Sequence, residues 1–365
     1  MTATVVVPPG IRLLGAVRVR VPFVRPVVTA GASWEAVDSW LLRFVDADGR
    51  AGLGEATLGP GAAPTDHAEL AARVRSMVGT RAGSGDGVVG AALASGIGGA
   101  MLDLGIEADG RARAAHVELN ATIGAEATEA SVAAARAAVA AGFRCLKLKG
   151  GAERSSGELA ERLAAVRAAV GPDVALRLDV NGAWDAATAA ERLRAVVGAG
   201  AGLAYVEQPV PADDVAGLTR VRAAVDGVRV AADEAVTSRT AAAALVAAGA
   251  VDVLVVKPAR VGGPAAALAI AEDAAAAGVG VTISTLLETG VGLAAAIVTV
   301  SMLPAGVAAG PHGLATGGLL AADLVAAGPR GVGPVVAVPA GPGLGIRLDH
   351  AAVERFAVER VGAWA

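Results

Sequence analysis

The chain has 365 residues, of which 54% are hydrophobic and 18% are charged, and its formal net charge is −4. This length is sufficient for a barrel of about 200 residues together with a second domain. Basic residues are spread along the chain and aromatic residues make up only 2% of it, so the sequence offers neither the basic patch nor the stacking surface that nucleic acid requires. Nucleic acid is therefore excluded as an expected partner.

The cysteine content and the N-terminal run favour a cytoplasmic protein. Cys145 is the only cysteine, which excludes a disulfide within one chain, and we expect it to fill a small buried apolar space. The early apolar run VVVPPGIRLLGAVRVR is broken by Pro8, Pro9, Gly10 and several arginines, so it does not have the form of a signal peptide. We therefore expect a cytoplasmic location.

Residues 10 to about 115 have the pattern of a unit that mixes strands and helices. The stretches VRVRVPF and SWLLRFVDADGRAGLGEA are strand-like, and the second contains a hairpin turn at Asp48-Gly49. Ala-rich stretches near 65–82 and 88–108 then predict helices. This part of the chain is expected to form a separate α+β unit.

From about 117 to 325 the chain repeats a strand, a Gly or Pro turn and an Ala/Arg-rich helix, which is typical of a parallel α/β fold. The glycine-rich stretch 198–202 precedes a strand instead of opening a helix, so we interpret it as a helix-to-strand connection and not as a phosphate loop. The uncharged stretch 289–311 is long enough to span a membrane. Because it is rich in Ala and Gly and contains Pro304, a helix packed on the barrel is favoured and no membrane association is expected.

Five ionisable residues recur at the ends of short apolar runs in this repeating part. The intervals between them are 30, 28, 26 and 24 residues, close to the length of one strand and its crossover helix. In a barrel of such units the C-terminal ends of all strands face one mouth, so these residues would converge there. The pattern predicts an active site built from Lys149, Asp179, Glu207, Asp233 and Lys257.

The three acids in this set predict a metal site. Each pair of carboxylates brought to ~4 Å costs about 4 kcal/mol at an effective dielectric constant of ~20, so a cation is needed to offset the repulsion. Carboxylates with no His or Cys at ligand spacing form a hard oxygen site that suits Mg²⁺, with Mn²⁺ as an alternative. We therefore expect a divalent metal ion as the cofactor.

The lysines predict proton transfer. Lys149 precedes the acids along the chain and Lys257 follows them, so in a closed barrel the two could face each other across the metal. A lysine has a reference pKa of about 10.4, and it needs burial and a nearby cation to act as a base near neutral pH. Lys147 shares strand parity with Lys149 and points to the same side. We expect Lys147 and the metal to lower the pKa of Lys149.

These motifs resemble those of the enolase superfamily, and specifically of its muconate-cycloisomerase-like subgroup. The resemblance implies that the three acids bind Mg²⁺ and that the second KxK lysine and the later lysine flank the α-carbon of a carboxylate substrate. The metal would stabilise the enolate that forms when the α-proton is removed. The matching sequences are Lys147-Leu-Lys149, Asp179-Val-Asn181-Gly-Ala-Trp, Glu207-Gln-Pro, Asp233-Glu234 and Val256-Lys257-Pro followed by Gly262-Gly263.

The resemblance also implies an architecture. It is an α/β fold, a modified (β/α) TIM barrel of the enolase type, with an α+β N-terminal capping domain whose loops close over the barrel mouth. The expected boundaries are 1–116 for the capping domain, 117–325 for the barrel and 326–365 for a C-terminal segment that returns to the cap. The candidate substrate loops of the cap are Arg25–Trp34 and Ala56–Gly61.

Six further residues are candidates for supporting the ligands or binding the substrate. Asn181 and Glu234 neighbour the predicted metal ligands and are expected either to support them or to be ordinary loop residues. His312 lies where the last barrel strand is expected to end. The other three candidates, in the sequence STLLET, are Ser284, Thr285 and Glu288.

The choice of reaction rests on shorter matches, because fold and metal imply only enolate chemistry. Dipeptide epimerases resemble one another in an Asp-x-Asp motif after the last strands that binds the substrate ammonium, and this chain reads Gly310-Pro-His312 there. The stretches 310–319, 284–296 and 119–125 look most like those of o-succinylbenzoate synthases. The implied reaction is dehydration of a cyclohexadiene carboxylate to o-succinylbenzoate in menaquinone synthesis. Lys149 would take the α-proton and then protonate the departing hydroxyl, while Lys257 would hold the enolate by its charge.

Three alternatives stay open. A racemase or epimerase of N-acylated amino acids would exchange protons at both lysines in turn, and a cycloisomerase would belong to the same superfamily. A lyase that forms a Schiff base on a lysine would use the same barrel without a metal. A ligand-binding barrel with an inactive site would bind Mg²⁺ without exchanging α-protons. The expected ligand is a small-molecule carboxylate, and a homo-oligomer is an open alternative to a monomer.

Overall fold

The computed structural model describes residues 7–29, 32–59, 62–79, 83–106 and 111–364. Its N-terminal unit is an antiparallel sheet followed by two helices. The predicted hairpin turn is confirmed, because Asp46 Oδ1 accepts hydrogen bonds from the amides of Asp48 (3.0 Å) and Arg50 (2.9 Å). The elements are β1 (Arg12–Thr29), β2 (Ala32–Val45), β3 (Ala51–Thr57), α1 (Pro64–Met77) and α2 (Gly87–Asp103).

Helix α2 packs directly on β3 because glycines let the two backbones approach. A Cβ atom on Gly54 would collide with the carbonyl oxygen of Gly96, and one on Gly52 would collide with that of Ala100. Any larger residue at these positions would push the helix off the sheet. The apolar core of this unit lies between the sheet and its helices and includes Trp40.

Both helices end several residues earlier than the sequence pattern predicted. The structure ends α1 at residue 77 instead of about 82, and α2 at residue 103 instead of about 108. Gly79 and Gly105 follow with positive φ angles of 73° and 75°, and the Gly105 amide bonds to the carbonyl of Leu102 (3.0 Å). Glycines in the left-handed conformation commonly terminate helices. Both helices therefore end before the limits that the Ala-rich stretches predicted.

The middle of the chain forms seven parallel strands in the order β11-β10-β9-β8-β7-β6-β5, with consecutive helices packed side by side around them. Several of these helices begin at a Ser or Asp whose side chain accepts from a first-turn amide. The elements are β4 (His116–Glu118), β5 (Ala121–Ile123), α3 (Thr128–Ala140), β6 (Cys145–Lys149), α4 (Ser156–Val170), β7 (Ala175–Asp179), α5 (Ala186–Gly198), β8 (Leu203–Glu207), α6 (Val215–Ala224), β9 (Arg229–Ala232), α7 (Arg239–Ala247), β10 (Val253–Val256), α8 (Pro258–Val261), α9 (Pro264–Ala276), β11 (Gly280–Ile283) and α10 (Gly290–Ser301).

An extended segment, residues 307–313, closes the barrel between β11 and the residues before β5. On one side the amides of Ala309 and Gly313 donate to carbonyls of β11 (2.9 Å each). On the other side His312 exchanges two backbone hydrogen bonds, of 2.8 and 2.9 Å, with the residues that flank Leu119. The predicted barrel is therefore closed, although this eighth position is an irregular extended segment.

Helix α10 occupies the uncharged stretch that could have been a membrane span. Its Ala294 and Val298 pack against Leu102 of α2 and Leu268 of α9. No helix among the described residues is long and apolar enough to cross a membrane. The prediction of a packed helix is confirmed, and so is the connection at 198–202, since α5 ends at Gly198 and β8 begins five residues later.

The C-terminal residues return to the N-terminal sheet. Strand β15 pairs antiparallel with β1, so that Gly362 lies opposite Gly15, and the sheet order is β15-β1-β2-β3. Before it, β13 pairs with β4 and β12 pairs with β14. The elements of this segment are β12 (Val325–Ala327), β13 (Val335–Ala337), β14 (Arg347–Leu348), α11 (His350–Phe356) and β15 (Ala357–Gly362).

Candidate active site

Three buried carboxylates lie at the C-terminal end of consecutive barrel strands. Asp179 is the last residue of β7 and Glu207 the last residue of β8, and the two are paired in register. Asp233 directly follows β9. Each is at most 1% exposed. The structure therefore brings together the three acids that the sequence intervals singled out.

Lys147 bridges two of these acids. Its Nζ donates to Asp179 Oδ2 (2.9 Å) and to Glu207 Oε1 (3.0 Å). Burial alone would lower the pKa of Lys147, but attraction to the two carboxylates outweighs it and raises that pKa well above its ordinary value. Lys147 is therefore a fixed positive charge in this arrangement.

The other two lysines lie at opposite ends of the row of acids. Lys149 Nζ donates to Asp179 Oδ2 (2.7 Å), and Lys257 Nζ donates to Asp233 Oδ2 (2.6 Å). Lys149 and Lys147 reach the same oxygen, which agrees with their expected shared direction. The side chain of Lys149 is 25% exposed and that of Lys257 12%, so Lys149 is the more accessible amine. We call these three lysines and three acids the mouth row.

Burial raises the pKa of the two aspartic acids of the mouth row, but their neighbours decide the net direction. Lys147 and Lys149 hold the pKa of Asp179 well below its usual range. Lys257 and a neighbouring guanidinium do the same for Asp233. Both aspartates are therefore ionised at neutral pH.

Glu207 behaves differently, and this bears on the metal. Burial, and then the negative charge of Asp179, raises the pKa of Glu207 to about 8 despite the attraction of Lys147. An oxygen-only set of buried acids fits a hard divalent cation such as Mg²⁺. In the part of the chain that the structure describes, no three acidic, His or Cys side chains are already arranged around a metal position. Each acid turns toward a lysine or arginine instead.

Two residues that the sequence analysis did not single out hold Asp233. Arg260, in the one-turn helix α8, donates to Asp233 Oδ1 (2.7 Å) and to its carbonyl oxygen (2.9 Å). Gln208 is fully buried with a φ of 43°, and its Oε1 accepts from the amides of Asp233 (2.9 Å) and Ala235 (3.2 Å). Gln208 is part of the motif Glu207-Gln-Pro, and Arg260 lies between Lys257-Pro and Gly262-Gly263, but the spacing of neither residue predicted this contact.

Asn181 and Glu234 lie together beside Lys149. Lys149 Nζ donates to Asn181 Oδ1 (2.9 Å), and Asn181 Nδ2 donates to Glu234 Oε1 (2.9 Å). The amide of Asn181 also donates to Asp179 Oδ1 (3.1 Å). The chain of contacts links the two predicted supporting residues to a lysine and an acid of the mouth row.

The three candidates after β11 line the connection to α10. Ser284 Oγ donates to the carbonyl of Gly313 (3.3 Å), and Thr285 is buried. Glu288 is also buried, and its Oε2 accepts from the amide of Leu286 (2.8 Å). Burial, and to a smaller extent the charge of Glu55, raises the pKa of Glu288 to about 7.

His312 is part of the barrel wall. It is 4% exposed, and its Nδ1 accepts a hydrogen bond from the amide of Ile283 (3.0 Å). Burial, assisted by the positive charge of Arg177, lowers its pKa to about 3. The ring is therefore neutral and belongs to the closing segment, which is a structural position that the sequence could not distinguish from a substrate contact.

A second layer of polar groups lies beneath the mouth row. Arg177 precedes Asp179 by two residues on β7 and stacks on Tyr205 at 4.7 Å. Its guanidinium donates to Asn120 Oδ1 (3.1 Å) and to the carbonyls of Ala309 (2.9 Å) and Pro311 (2.7 Å). We call Arg177, Tyr205 and Asn120 the floor. The floor holds the closing segment from inside the barrel.

The capping sheet contacts the barrel through Glu55 at the end of β3. Its carboxylate accepts from the amide (3.0 Å) and the hydroxyl (2.6 Å) of Thr289 and from the amide of Gly292 (2.9 Å), all at the start of α10. Gly59 packs on Leu286. The predicted cap loops, 25–34 and 56–61, are described only in part, because residues 30, 31, 60 and 61 lie outside the described residues.

A closed (β/α) barrel capped by an α+β sheet unit is the architecture that this chain shares with solved structures of the enolase type. Residues 130–352 match the family model described as Enolase C-terminal domain-like. The chain belongs to this family.

Similar proteins with known activities differ in the reaction they catalyse. The chain is 39% identical over 190 residues to o-succinylbenzoate synthase of Thermobifida fusca (strain YX), covering 52% of this chain and 56% of that protein. It is 34% identical over 180 residues to L-Ala-D/L-Glu epimerase of Bacillus subtilis (strain 168), covering 49% of each. The structure aligns with muconate lactonizing enzyme from Pseudomonas fluorescens, complexed with muconolactone, at a TM-score of 0.82 and 27% identity, over 97% of this chain and 100% of that one. The chain matches about half the length of the two curated relatives.

Proposed function

We propose that this protein removes the α-proton of a small carboxylate substrate with the help of a divalent metal ion. The observation that carries the proposal is the position of Lys149 and Lys257 at opposite ends of one row of three buried carboxylates. A row of acids can hold a cation to which a substrate carboxylate can bind. The lysines supply proton acceptors and donors beside that substrate. Asp179, Glu207 and Asp233 would hold the metal.

The lysines have separate roles in this proposal. Lys149 is assigned as the base because its side chain is more exposed than that of Lys257, and Asn181 Oδ1 accepts a hydrogen bond from its amine (2.9 Å). Lys257 contributes positive charge at the opposite end, where negative charge develops on the substrate. Lys147, paired with two acids, fixes the charge between them.

A bound Mg²⁺ would supply positive charge to the substrate carboxylate as the proton leaves. The side chains that surround the acids must release them for this. Lys147, Lys149 and Lys257 each contact an oxygen of a proposed ligand, so their ammonium groups balance the acids in this structure. The proposal therefore requires the amines of Lys149 and Lys257 to turn from the acids toward the substrate.

Among the reactions of this family we favour dehydration to o-succinylbenzoate, a step of menaquinone synthesis. The highest identity among the relatives described above is to an o-succinylbenzoate synthase. The position at which dipeptide epimerases are expected to carry Asp-x-Asp is occupied by Pro311, whose carbonyl binds Arg177, and by His312 in the barrel wall. This stretch therefore offers no carboxylate to a substrate ammonium. This favours a substrate that lacks an ammonium group.

The same geometry favours racemisation of an N-acylated amino acid as the second candidate. A racemase needs a base on each face of the α-carbon, and the two lysines approach from opposite ends of the acids. An acyl group removes the ammonium charge, so this substrate also agrees with a stretch 310–319 that carries no carboxylate.

One experiment separates the two candidates. The protein is incubated with Mg²⁺ in D₂O, either with the cyclohexadiene carboxylate or with each enantiomer of an N-acylamino acid. Dehydration is followed by absorbance and deuterium incorporation by NMR. Conversion of the cyclohexadiene substrate with little racemisation supports the synthase. Efficient racemisation without dehydration would assign the racemase, and neither reaction nor exchange with any substrate would reject the proposed function.

A further inference from the structure

Arg162 is a buried cation that belongs to neither the mouth row nor the floor. It lies on α4 and is 3% exposed. Its Nη2 donates to the carbonyl oxygen of Lys149 (2.7 Å) and to Glu153 Oε1 (2.5 Å), and its Nη1 donates to Ser131 Oγ (3.4 Å). A guanidinium from an outer helix therefore reaches the backbone of the residue proposed as the base.

Glu153 completes this contact on the other side of the turn. Its Oε2 accepts from the amide of Gly151 (2.8 Å), while Oε1 accepts from Arg162. The amide of Gly150 meanwhile donates to the carbonyl of Asp179 (2.8 Å). The backbone that follows Lys149 is thus held at three successive residues, by two side chains and by the neighbouring strand.

The same helix carries a second arginine that contacts backbone at the opposite end of the barrel. Arg167 donates from Nε to the carbonyl of Ala201 (2.9 Å) and from Nη1 to those of Gly171 (2.6 Å) and Val174 (2.7 Å). These carbonyls precede β7 and β8, far along the strands from the mouth row. Arg162 and Arg167 therefore make the same kind of contact at two different ends of the fold.

We propose that Arg162, together with Glu153, is a positioning residue for Lys149. The pair fixes the direction in which β6 ends, and so sets where the Lys149 amine stands relative to the α-carbon of the substrate. The assignment of Lys149 as the base rests on the proposed function. The contacts of Arg162 and Glu153 with the backbone at residues 149 and 151 do not depend on it. A base displaced by about 1 Å loses up to roughly 100-fold in rate, so the contact would act on catalysis and not only on stability.

The chemistry of the contact explains why an arginine stands here. Nη2 carries two hydrogens, and it directs one to the carbonyl of Lys149 and one to Glu153. A lysine keeps the charge, but its nitrogen stops short of the position of Nη2 and has no planar geometry. Arg162→Lys should therefore preserve the positive charge at this position while releasing the backbone that follows Lys149.

The test compares Arg162→Lys with the matched control Arg167→Lys. We expect Arg162→Lys to lower kcat about tenfold or more with KM changed by less than about threefold, and to lower α-proton exchange in parallel. Arg167→Lys should keep kcat within about twofold of wild type, even where it lowers Tm as much. Glu153→Gln, which keeps an acceptor for Gly151 but turns an amide toward Arg162, is the second variant and should lower kcat in the same direction.

Amide hydrogen exchange provides a readout that does not depend on activity. Arg162→Lys should accelerate exchange at residues 150 and 151, and Arg167→Lys should leave these amides protected. Equal losses of kcat in Arg162→Lys and Arg167→Lys would overturn the positioning role, and so would unchanged protection at 150 and 151 in Arg162→Lys. If the wild type neither exchanges nor converts any substrate, the proposed function fails, while the exchange data still decide whether Arg162 holds the turn.

Discussion

The mouth row and the floor are two layers of polar groups inside one barrel, and they balance charge in opposite ways. In the mouth row, ammonium groups face carboxylates. In the floor, the guanidinium of Arg177 faces neutral carbonyls and an amide oxygen. Asp179 and Arg177 are two residues apart on the same strand, and Lys147, which is paired in register with Arg177, joins the mouth row through its side chain.

The difference indicates which layer can change state. An ion pair can exchange one partner for another charge of the same sign, so a metal ion can replace an ammonium group in the mouth row. A guanidinium bound to backbone carbonyls has no such alternative, because those carbonyls belong to the closing segment itself. The mouth row is suited to chemistry, and the floor is suited to holding the barrel shut.

The largest expected effect is the loss of activity without metal. Chelation with EDTA should abolish turnover, and Mg²⁺ or Mn²⁺ should restore it, because the three acids would otherwise remain paired with lysines. Asp179→Asn should weaken Mg²⁺ binding in calorimetry as well as activity. Arg177→Met is the control from the floor and should leave Mg²⁺ affinity unchanged in the folded protein. Full turnover in a metal-free preparation would contradict a role for a metal ion in the mouth row.

Removal of the proposed base should have an effect of similar size. Lys149→Ala should lower turnover and α-proton exchange by about 10³-fold, within the range for loss of a general base. Lys257→Arg keeps the charge, so it should cost the synthase reaction only part of its rate but should block one direction of racemisation. The measurement is deuterium incorporation into each enantiomer beside conversion of the cyclohexadiene substrate. Unchanged exchange in Lys149→Ala would remove this lysine from the mechanism.

A substitution in the floor should lower the free energy of unfolding without changing the rate of the reaction. Arg177→Met leaves buried acceptors of Asn120, Ala309 and Pro311 without their donor, and we expect the free energy of unfolding to fall by about 3 kcal/mol. Urea denaturation measures this change. Activity per folded molecule should stay near the wild-type value at low temperature. A variant with wild-type stability would show that the closing segment does not depend on the floor.

A pH dependence of stability is expected at the barrel wall, spread over several pH units. The pKa of His312 falls from 6.5 to about 3 on folding, so between these values the unfolded chain binds a proton that the folded chain does not. The free energy of unfolding therefore falls as pH is lowered through this window, by at most about 1.4 kcal/mol per pH unit.

Glu288 acts in the opposite direction and must be separated from His312. Its pKa rises from 4.5 to about 7, so its contribution to stability is lost as pH rises through that range. The His312→Asn variant offers an amide oxygen in place of Nδ1 and isolates the histidine. Wild-type stability minus variant stability should decrease from pH 6.5 to pH 4 in urea titrations, and a flat difference would mean that the ring is not buried as described.

The recurrence of charged residues at strand ends made the mouth row predictable from sequence. Lys149, Asp179, Glu207 and Lys257 each end an apolar run or directly follow one, and a parallel strand places such a residue at the mouth. Arg177 lies inside a run of the same kind, in ALRLD, and its parity with Asp179 was visible. The pattern could not show that neutral carbonyls would satisfy it, because those come from a segment more than a hundred residues away.

Other contacts left no periodic signal. Gln208 reaches Asp233 because its backbone takes a φ of 43°, and no spacing rule predicts that angle. Arg260 returns to Asp233 through the short helix α8. The predicted ends of the two helices in the capping unit were about five residues too late, because left-handed glycines terminate both helices within the Ala-rich stretches. The domain boundaries, the cytoplasmic location and the oligomeric state stay predictions.

The pairing of β15 with β1 has a consequence for the order in which the molecule assembles. Gly15 lies opposite Gly362, so the capping sheet pairs a strand that precedes the barrel in the chain with a strand that follows it. The barrel strands emerge in the order in which they pair, and each can add to its predecessor as synthesis proceeds. The edge of β1 stays exposed until β15, which follows the barrel in the chain, has been made. We therefore expect the barrel to form first and the sheet above its mouth to be completed last.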